Sequence, residues 1–266
     1  SSPSDYAVST GVGRLTFGSP NLQREQILTV AASDVDTTLR VAIDALPVGN
    51  DLVVSLIGRR VSAGNDYRAQ MTIQPNGTVK LYLQRTLAGS GTSILANTTI
   101  AGLTASPNSF LRMRMQIVGM GPITVRARVW ADGSPEPTTW QRMVDDSDTT
   151  LAAAGGVGVR VYHKGSNLPL VASIDDLLSV SLSSSATATP TATALPATST
   201  PTATTVPPTS TPLPATSTPA ATSTPAASTP TATALPATST PTSTPLSGLV
   251  AAYSFDAGSG STLTDT

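Results

Sequence analysis

The side chains best suited to chemistry in this sequence are arginines placed two apart. Arg112 and Arg114 fall in the run FLRMRMQIV, and Arg126 and Arg128 in ITVRARVW. Residues two apart in an extended chain share a face, so each run presents a pair of guanidinium groups. Such groups bind carboxylates in bidentate fashion and hydrogen-bond hydroxyls. The same parity on other runs adds Arg68, Lys80, Tyr82 and Trp130, and aromatic faces can stack on sugar C–H surfaces. Together they describe one sheet face that could hold a glycan, an acidic polysaccharide being one candidate. The alternative is a solvated face whose arginines pair with nearby aspartates. A turn centred on Gly119–Gly121 sets Arg114 opposite Arg126 and Arg112 opposite Arg128. Like charges directly opposite destabilise a sheet unless something compensates them.

Carboxylates are sparse. The stretch Asp145-Asp146-Ser147-Asp148 reads as a loop and is the best cation candidate, since Ca2+ takes several oxygen ligands from such loops. A structural Ca2+ held by Asp145, Asp146 and Asp148 is therefore one expectation, and no other cofactor is implied. The stretch lacks the spacing and glycine of an EF-hand; its alternative role is a helix N-cap, Asp148 or Thr149, ahead of Leu151. Glycoside hydrolysis needs two carboxylates at a fixed separation. The only glutamates, Glu25 and Glu136, lie far apart in sequence. Asp175 and Asp176 are adjacent, so a regular strand would send them to opposite faces. The single histidine, His163 in YHKGSN, reads as a solvated residue at a strand-to-loop junction. These features predict a chain without catalytic activity.

The 266 residues contain no cysteine, which excludes disulfides and Cys-based metal sites. The formal charge is −1, from 15 basic and 16 acidic residues, which argues against a nucleic-acid partner. No apolar run reaches the ~18 residues of a membrane span, so no membrane insertion is expected. Composition divides the chain into three parts. Residues 1–183 hold almost all the charge and aromatic content. Residues 184–246 consist of 22 Thr, 14 Ala, 13 Pro and 9 Ser among 63 positions, with no charge. Such a segment cannot bury enough surface to offset its ordering entropy, and its prolines favour extended polyproline II. It reads as a disordered or extended stalk. TPTATALPATSTPT occurs in it twice unchanged, at 189–202 and 229–242. Thr and Ser beside Pro invite O-glycosylation, with Thr198, Thr200, Thr216, Thr218, Thr238 and Thr240 as candidates. Residues 247–266 regain apolar character but are too short to fold alone, and both ends of the chain read as cuts in a longer protein.

The first part reads as β throughout. Leu111, Met113, Met115 and Ile117 alternate with Arg112, Arg114 and Gln116; Tyr67, Ala69, Met71 and Ile73 alternate with Arg68, Gln70 and Thr72. Val79, Leu81 and Leu83 alternate with Lys80, Tyr82 and Gln84, and Leu39, Val41 and Ile43 follow the same rule. Period-2 alternation marks strands with one face in the core. Further strands are expected near 12–17, 25–31, 51–59, 92–100, 156–162 and 171–182. Pro75-Asn76-Gly77 between two such runs signals a hairpin. Many short strands without a long helical pattern predict an all-β, two-sheet antiparallel sandwich.

On the phrases LTFGSPNLQREQILTV, LIGRRVSAGNDYRAQMTIQPNGTVKLYLQR, ITVRARVWADGSPEPTTWQ, GGVGVRVY and the closing SIDDLLSV, residues 5–180 resemble a bacterial extracellular concanavalin A-like (jelly-roll) module. LVAAYSFDAGSGSTLTDT resembles the opening of a LamG-like jelly roll, making 247–266 the truncated first strand of a second module. The resemblance implies a non-catalytic module, secreted or on the cell surface, that binds a polysaccharide or surface glycan or serves adhesion. Retaining glucanases of this fold carry two Glu and an Asp on one strand, a pattern this chain lacks. Two other roles stay open. One is a structural component of an extracellular fibre, with neighbouring copies as partners. The other is an accessory domain of a polysaccharide-degrading enzyme.

Overall fold

A computed structural model of the chain describes residues 5–9, 11–182 and 248–253. The 184–246 segment, with the six candidate glycosylation threonines, lies outside the described residues, as does most of 247–266. Among the described residues there is no α-helix, and none is long and apolar enough to cross a membrane.

Two antiparallel sheets carry the fold, as the alternation requires. The first has the order β1 (Tyr6–Ser9), β2 (Val12–Phe17), β13 (Leu170–Ser181), β4 (Val35–Ile43), β9 (Leu111–Val118), β10 (Ile123–Ala131) and β11 (Arg142–Asp146), with β14 (Leu249–Tyr253) added on β13. The second has the order β3 (Leu22–Ala32), β12 (Gly155–His163), β5 (Leu52–Ser62), β6 (Asn65–Ile73), β7 (Thr78–Leu87) and β8 (Gly91–Thr104). The expected strands all form. The Pro75-Asn76-Gly77 turn joins β6 to β7, with Gly77 at φ 82° and Asn76 Oδ1 accepting from the Thr78 amide.

The core lies between the sheets. Leu39, Met113, Met115, Val125 and Val129 of the first sheet face Leu52, Leu56, Tyr67, Met71, Leu81 and Leu83 of the second, all essentially without exposure. At Gly58 the sheets come so close that a Cβ would stand 2.5 Å from Ile117 Cδ1 and 3.0 Å from Met115 Cε.

Two polar ties cross or flank this core. Asp146 on β11 points inward, accepting from Tyr67 Oη at 2.9 Å and from Arg85 Nη1 at 2.8 and 2.9 Å. Burial first, and the Asp146 carboxylate second, push the Tyr67 phenol well above its ordinary pKa. The fully buried Arg59, at φ 48° on β5, donates to Ser33 O, Asp34 Oδ1 and Gly119 O, fastening the β3–β4 and β9–β10 turns.

Candidate functional site

The structure divides the residues that parity had grouped on one face. Arg112, Arg114, Arg126, Arg128 and Trp130 stand on the outer face of the first sheet, Arg68, Lys80 and Tyr82 on the outer face of the second. Parity assigns a side chain to the inner or outer face of its strand, but not to a sheet. The sandwich core separates the two groups.

The register on the first sheet also differs from expectation. Arg128 pairs with Arg114, Arg126 with Gln116 and Trp130 with Arg112. Pro122 has no N–H to give to the ladder, so β10 begins at Ile123 and the turn centre moves from Met120 to Gly121. A one-residue move of the centre shifts the register by two. Arg40 of β4 stands opposite Arg112. Two like-charged pairs therefore lie directly across from each other, and one carboxylate bridges each. Glu136 binds Arg114 and Arg128, and Asp132 binds Arg112 and Arg40. Both come from the β10–β11 connection. Asp36 adds a bidentate grip on Arg114. Trp140, also from that connection, lies over Arg128 and Arg126 with 4.3 and 4.8 Å from guanidinium carbon to ring centroid. Burial pushes the Asp132 carboxyl up, but Arg112 and Arg40 outweigh it and hold it below the usual range.

Asp175 and Asp176 belong to the same network, against the expectation of opposite faces. Asp176 sits at φ 48° in a bulge between Asp175 and Leu178. The bulge breaks the alternation, so Asp175 reaches Arg40 at 3.0 Å and Asp176 reaches Arg112 at 2.9 Å. Burial, with Asp176 alongside, raises the Asp175 pKa. This face matches the alternative in which arginines pair with aspartates.

The acidic stretch is not a loop at its start. Asp145 and Asp146 end strand β11, so they point to opposite sides: Asp145 accepts from Thr124 Oγ1 at 2.6 Å, while Asp146 faces the core. Asp148 binds Arg85 at 2.8 Å and caps the 3-10 turn Thr149–Leu151 through the Thr150 amide. Among the described residues no group of three or more His, Asp or Glu side chains is gathered to hold a metal ion. His163 is not a solvated loop residue. It has no exposure, meets Phe17 edge-on at 5.9 Å, and places Nε2 3.2 Å from Asn167 O. Burial lowers its pKa below the ordinary value.

The outer face of the second sheet is organised differently. Cross-strand register aligns Glu25, Arg160, Ser55, Gln70, Tyr82 and Asn97 in one row across all six strands. The next row holds Gln23, Tyr162, Val53, Thr72, Lys80 and Thr99. On the other side of Arg160 lie Gly158, Ile57, Arg68 and Gln84. Although they face outward, Ser55, Ile57, Thr72 and Arg68 are buried, so the centre of the face is recessed between the side chains around it. Gln70 Nε2 donates to Thr72 Oγ1 at 3.0 Å.

The charges here are not balanced by pairing. Glu25 stands opposite Arg160, yet its carboxylate goes to Arg60 at 3.0 Å. Asp66 is taken by Arg68 and Arg60, both at 2.6 Å. Arg160 and Lys80 have no carboxylate partner among the described residues. The Nε of Arg160 is buried without a hydrogen-bond acceptor. Burial, and then the charge of Arg68, pull the Arg160 guanidinium below its ordinary pKa. Tyr162 flanks it, 5.8 Å from guanidinium carbon to ring centroid. Sequence reasoning singled out Arg68, Lys80 and Tyr82 but passed over Arg160 and Tyr162. Their shared parity in GVGVRVYH was the available signal.

No family model matches the chain, and no curated protein matches it. Among solved structures it is similar to an alginate lyase (TM-score 0.47, 13% identity, 68% of this chain and 85% of that one). It is also similar to a legume lectin-like domain from Entamoeba histolytica (TM-score 0.43, 8% identity, 65% and 84%). A third is a Bacillus licheniformis beta-glucanase (TM-score 0.40, 14% identity, 62% and 76%). At such identities the chemistry of those proteins does not transfer to this chain.

Proposed function

We propose that the chain is a non-catalytic carbohydrate-binding module, secreted or displayed at the cell surface, that takes an acidic polysaccharide along the outer face of the second sheet. The observation that carries this reading is Arg160: a half-buried cation with no carboxylate partner among the described residues, second in a row of six hydrogen-bonding side chains. A sugar carboxylate supplies the missing counter-charge, and charge-assisted hydrogen bonds to guanidinium are the strong kind. Ser55, Gln70 and Asn97 suit ring hydroxyls, and Tyr82 and Tyr162 offer faces for stacking. Strands stand ~4.8 Å apart, so the row of six covers about 24 Å, long enough for several sugar rings. The β4–β9–β10 part of the first sheet offers no comparable place, because its arginines are already engaged by carboxylates or by Gln116 and Trp140. O-glycosylation of the 184–246 segment belongs to the same proposal.

The test is retention of the full chain on immobilised acidic (alginate, polygalacturonate) and neutral (cellulose, xylan) polysaccharides, with Tyr82→Ala and Arg160→Met beside the parent. Selective, salt-sensitive retention on the acidic matrices, lost in both variants, is the expected result. Equal behaviour on every matrix would sink the proposal. Shortening of the polysaccharide during incubation would overturn the non-catalytic part.

A further inference from the structure

The outer face of the second sheet carries one short pattern twice. Arg160-Val161-Tyr162 on β12 and Lys80-Leu81-Tyr82 on β7 both read cation, aliphatic, tyrosine. In each the aliphatic residue is buried in the core, so the cation and the tyrosine share the outer face. The two strands are three antiparallel pairings apart, through β5 and β6, and therefore run in opposite directions. The register sets Tyr82 level with Arg160 and Lys80 level with Tyr162. A half-turn about the sheet normal, between β5 and β6, exchanges the two patterns. The same half-turn exchanges Gln23 of β3 with Asn97 of β8, and Ser55 of β5 with Thr72 of β6. The match is one of residue type. On the β12 side Tyr162 Oη also donates to Asn21 Oδ1 at 3.3 Å, and Lys164 Nζ stands 5.5 Å from the Tyr162 ring centroid.

We propose, resting on the acidic-polysaccharide reading above, that this face holds two matching half-sites for uronate rings, Arg160 with Tyr162 and Lys80 with Tyr82, and that one polysaccharide chain fills both. Neither cation has a carboxylate partner among the described residues. Three strand spacings of ~4.8 Å and an offset of two residues put their α-carbons roughly 16 Å apart, too far for both to grip one carboxylate. Each half-site therefore takes its own: the cation pairs with a ring carboxylate, and the tyrosine stacks on a ring face. Between the half-sites Val53, Ser55 and Thr72 are buried, so the middle of the face lies low and lets the intervening rings pass. A chain that has filled one half-site reaches the other intramolecularly, at an effective concentration set by its length. Recognition then depends on two separated carboxylates on one chain, which a single uronate cannot supply.

The chain has five tyrosines, so NMR of the full chain with ring-labelled tyrosine reads each half-site separately, and the buried Tyr67 serves as an internal control. The probes are single-ring galacturonate and mannuronate and their six-ring oligomers, with Lys80→Met and Arg160→Met beside the parent. Both substitutions replace outward side chains, and the Tyr67 signal confirms that each variant folds. In the parent a single ring should shift both Tyr82 and Tyr162. Lys80→Met should lose the Tyr82 response and keep that of Tyr162, and Arg160→Met the reverse. The six-ring oligomer should shift both tyrosines together, one oligomer per chain, and bind about 100-fold tighter than the single ring. Either variant should lose most of that gain. A single ring that shifts only one of the two tyrosines, or a six-ring oligomer that keeps its full affinity in Lys80→Met, would overturn the paired half-sites and leave the polysaccharide reading standing. No response of either tyrosine to any of the four probes would remove both.

Discussion

Replacing Arg160 by methionine should strengthen the fold while weakening the binding, an opposition of sign that few surface substitutions produce. Methionine keeps the length of the side chain and its cover over the sheet but removes a charge with no carboxylate partner and a buried Nε with no acceptor. Leaving an unpaired charge fully buried costs several kcal/mol. Arg160 is only half-buried and stands near Glu25 and Asp66, so solvent screening and those charges reduce the gain on its removal to about 1 kcal/mol. For a sandwich of this size that corresponds to a Tm roughly 2–4 °C higher. A charge-assisted hydrogen bond to a sugar carboxylate contributes about 1.5–3 kcal/mol, so affinity for an acidic polysaccharide should fall roughly 10- to 100-fold. Calorimetry in the presence and absence of oligosaccharide reads both quantities on one sample. The parent should gain thermal stability from the ligand and the variant should not. A variant that is less stable than the parent yet binds equally well would refute the reasoning, since Arg160 would then be held by contacts within the fold. Arg126→Ala, on the opposite sheet, should leave binding unchanged.

Other expectations follow from the packing and charge pattern. Asp146→Ala leaves Arg85 without one of its two carboxylates and the buried Tyr67 hydroxyl without an acceptor, and should cost about 3 kcal/mol in chemical denaturation. Gly58→Ala drives a methyl into Ile117 and Met115, and should cost about 1–3 kcal/mol by the same measurement. His163 has its folded-state pKa lowered, so the folded protein binds fewer protons than the unfolded chain. Stability should therefore be intact above the ordinary value near 6.5 and fall as pH drops below it; His163→Phe should flatten that slope in a pH series of melts. The Asp132→Asn, Glu136→Gln pair removes the carboxylate shared by each opposed arginine couple, leaving Arg128 with none, and should lose about 1–2 kcal/mol. Adding a soluble polyanion during the melt should restore part of that loss.

Alternation made the core legible. Met71, Leu81, Met113 and Val125 are all buried where their parity puts them, because a two-sheet sandwich preserves period 2 along every strand. Three things lay beyond that rule. Sheet membership is one: Tyr82 and Arg126 share a parity but stand on opposite faces of the molecule. Local irregularity is another. The Pro122 start of β10 moved the arginine register, and the bulge at Asp176 swung a carboxylate across the sheet. The third is weak patterning. In RMVDD only Met143 and Val144 are apolar, so β11 looked like a loop and its aspartates like cation ligands. Arg160 was readable by parity, but it is a single arginine in GVGVRVYH and lacks the paired spacing of Arg112/Arg114 and Arg126/Arg128. What marks it is half-burial on the outer face together with the lack of a carboxylate partner, a property of three-dimensional neighbours that no local pattern encodes.

The β10–β11 connection serves as a built-in counterion. Its Asp132 and Glu136 supply part of the counter-charge of Arg40, Arg112, Arg114 and Arg128 on the first sheet, and its Trp140 lies over Arg126 and Arg128. The sandwich thus has two faces rich in cations, and on one of them a ten-residue surface segment joins Asp36, Asp175 and Asp176 in neutralising the charge. Because loops accept insertion and replacement far more readily than strands, exchanging that segment would free Arg128 of its carboxylate and thin the counter-charge around Arg40, Arg112 and Arg114 without touching a β-ladder. How much of that face's positive charge reaches solvent is therefore set by the least constrained stretch of the chain.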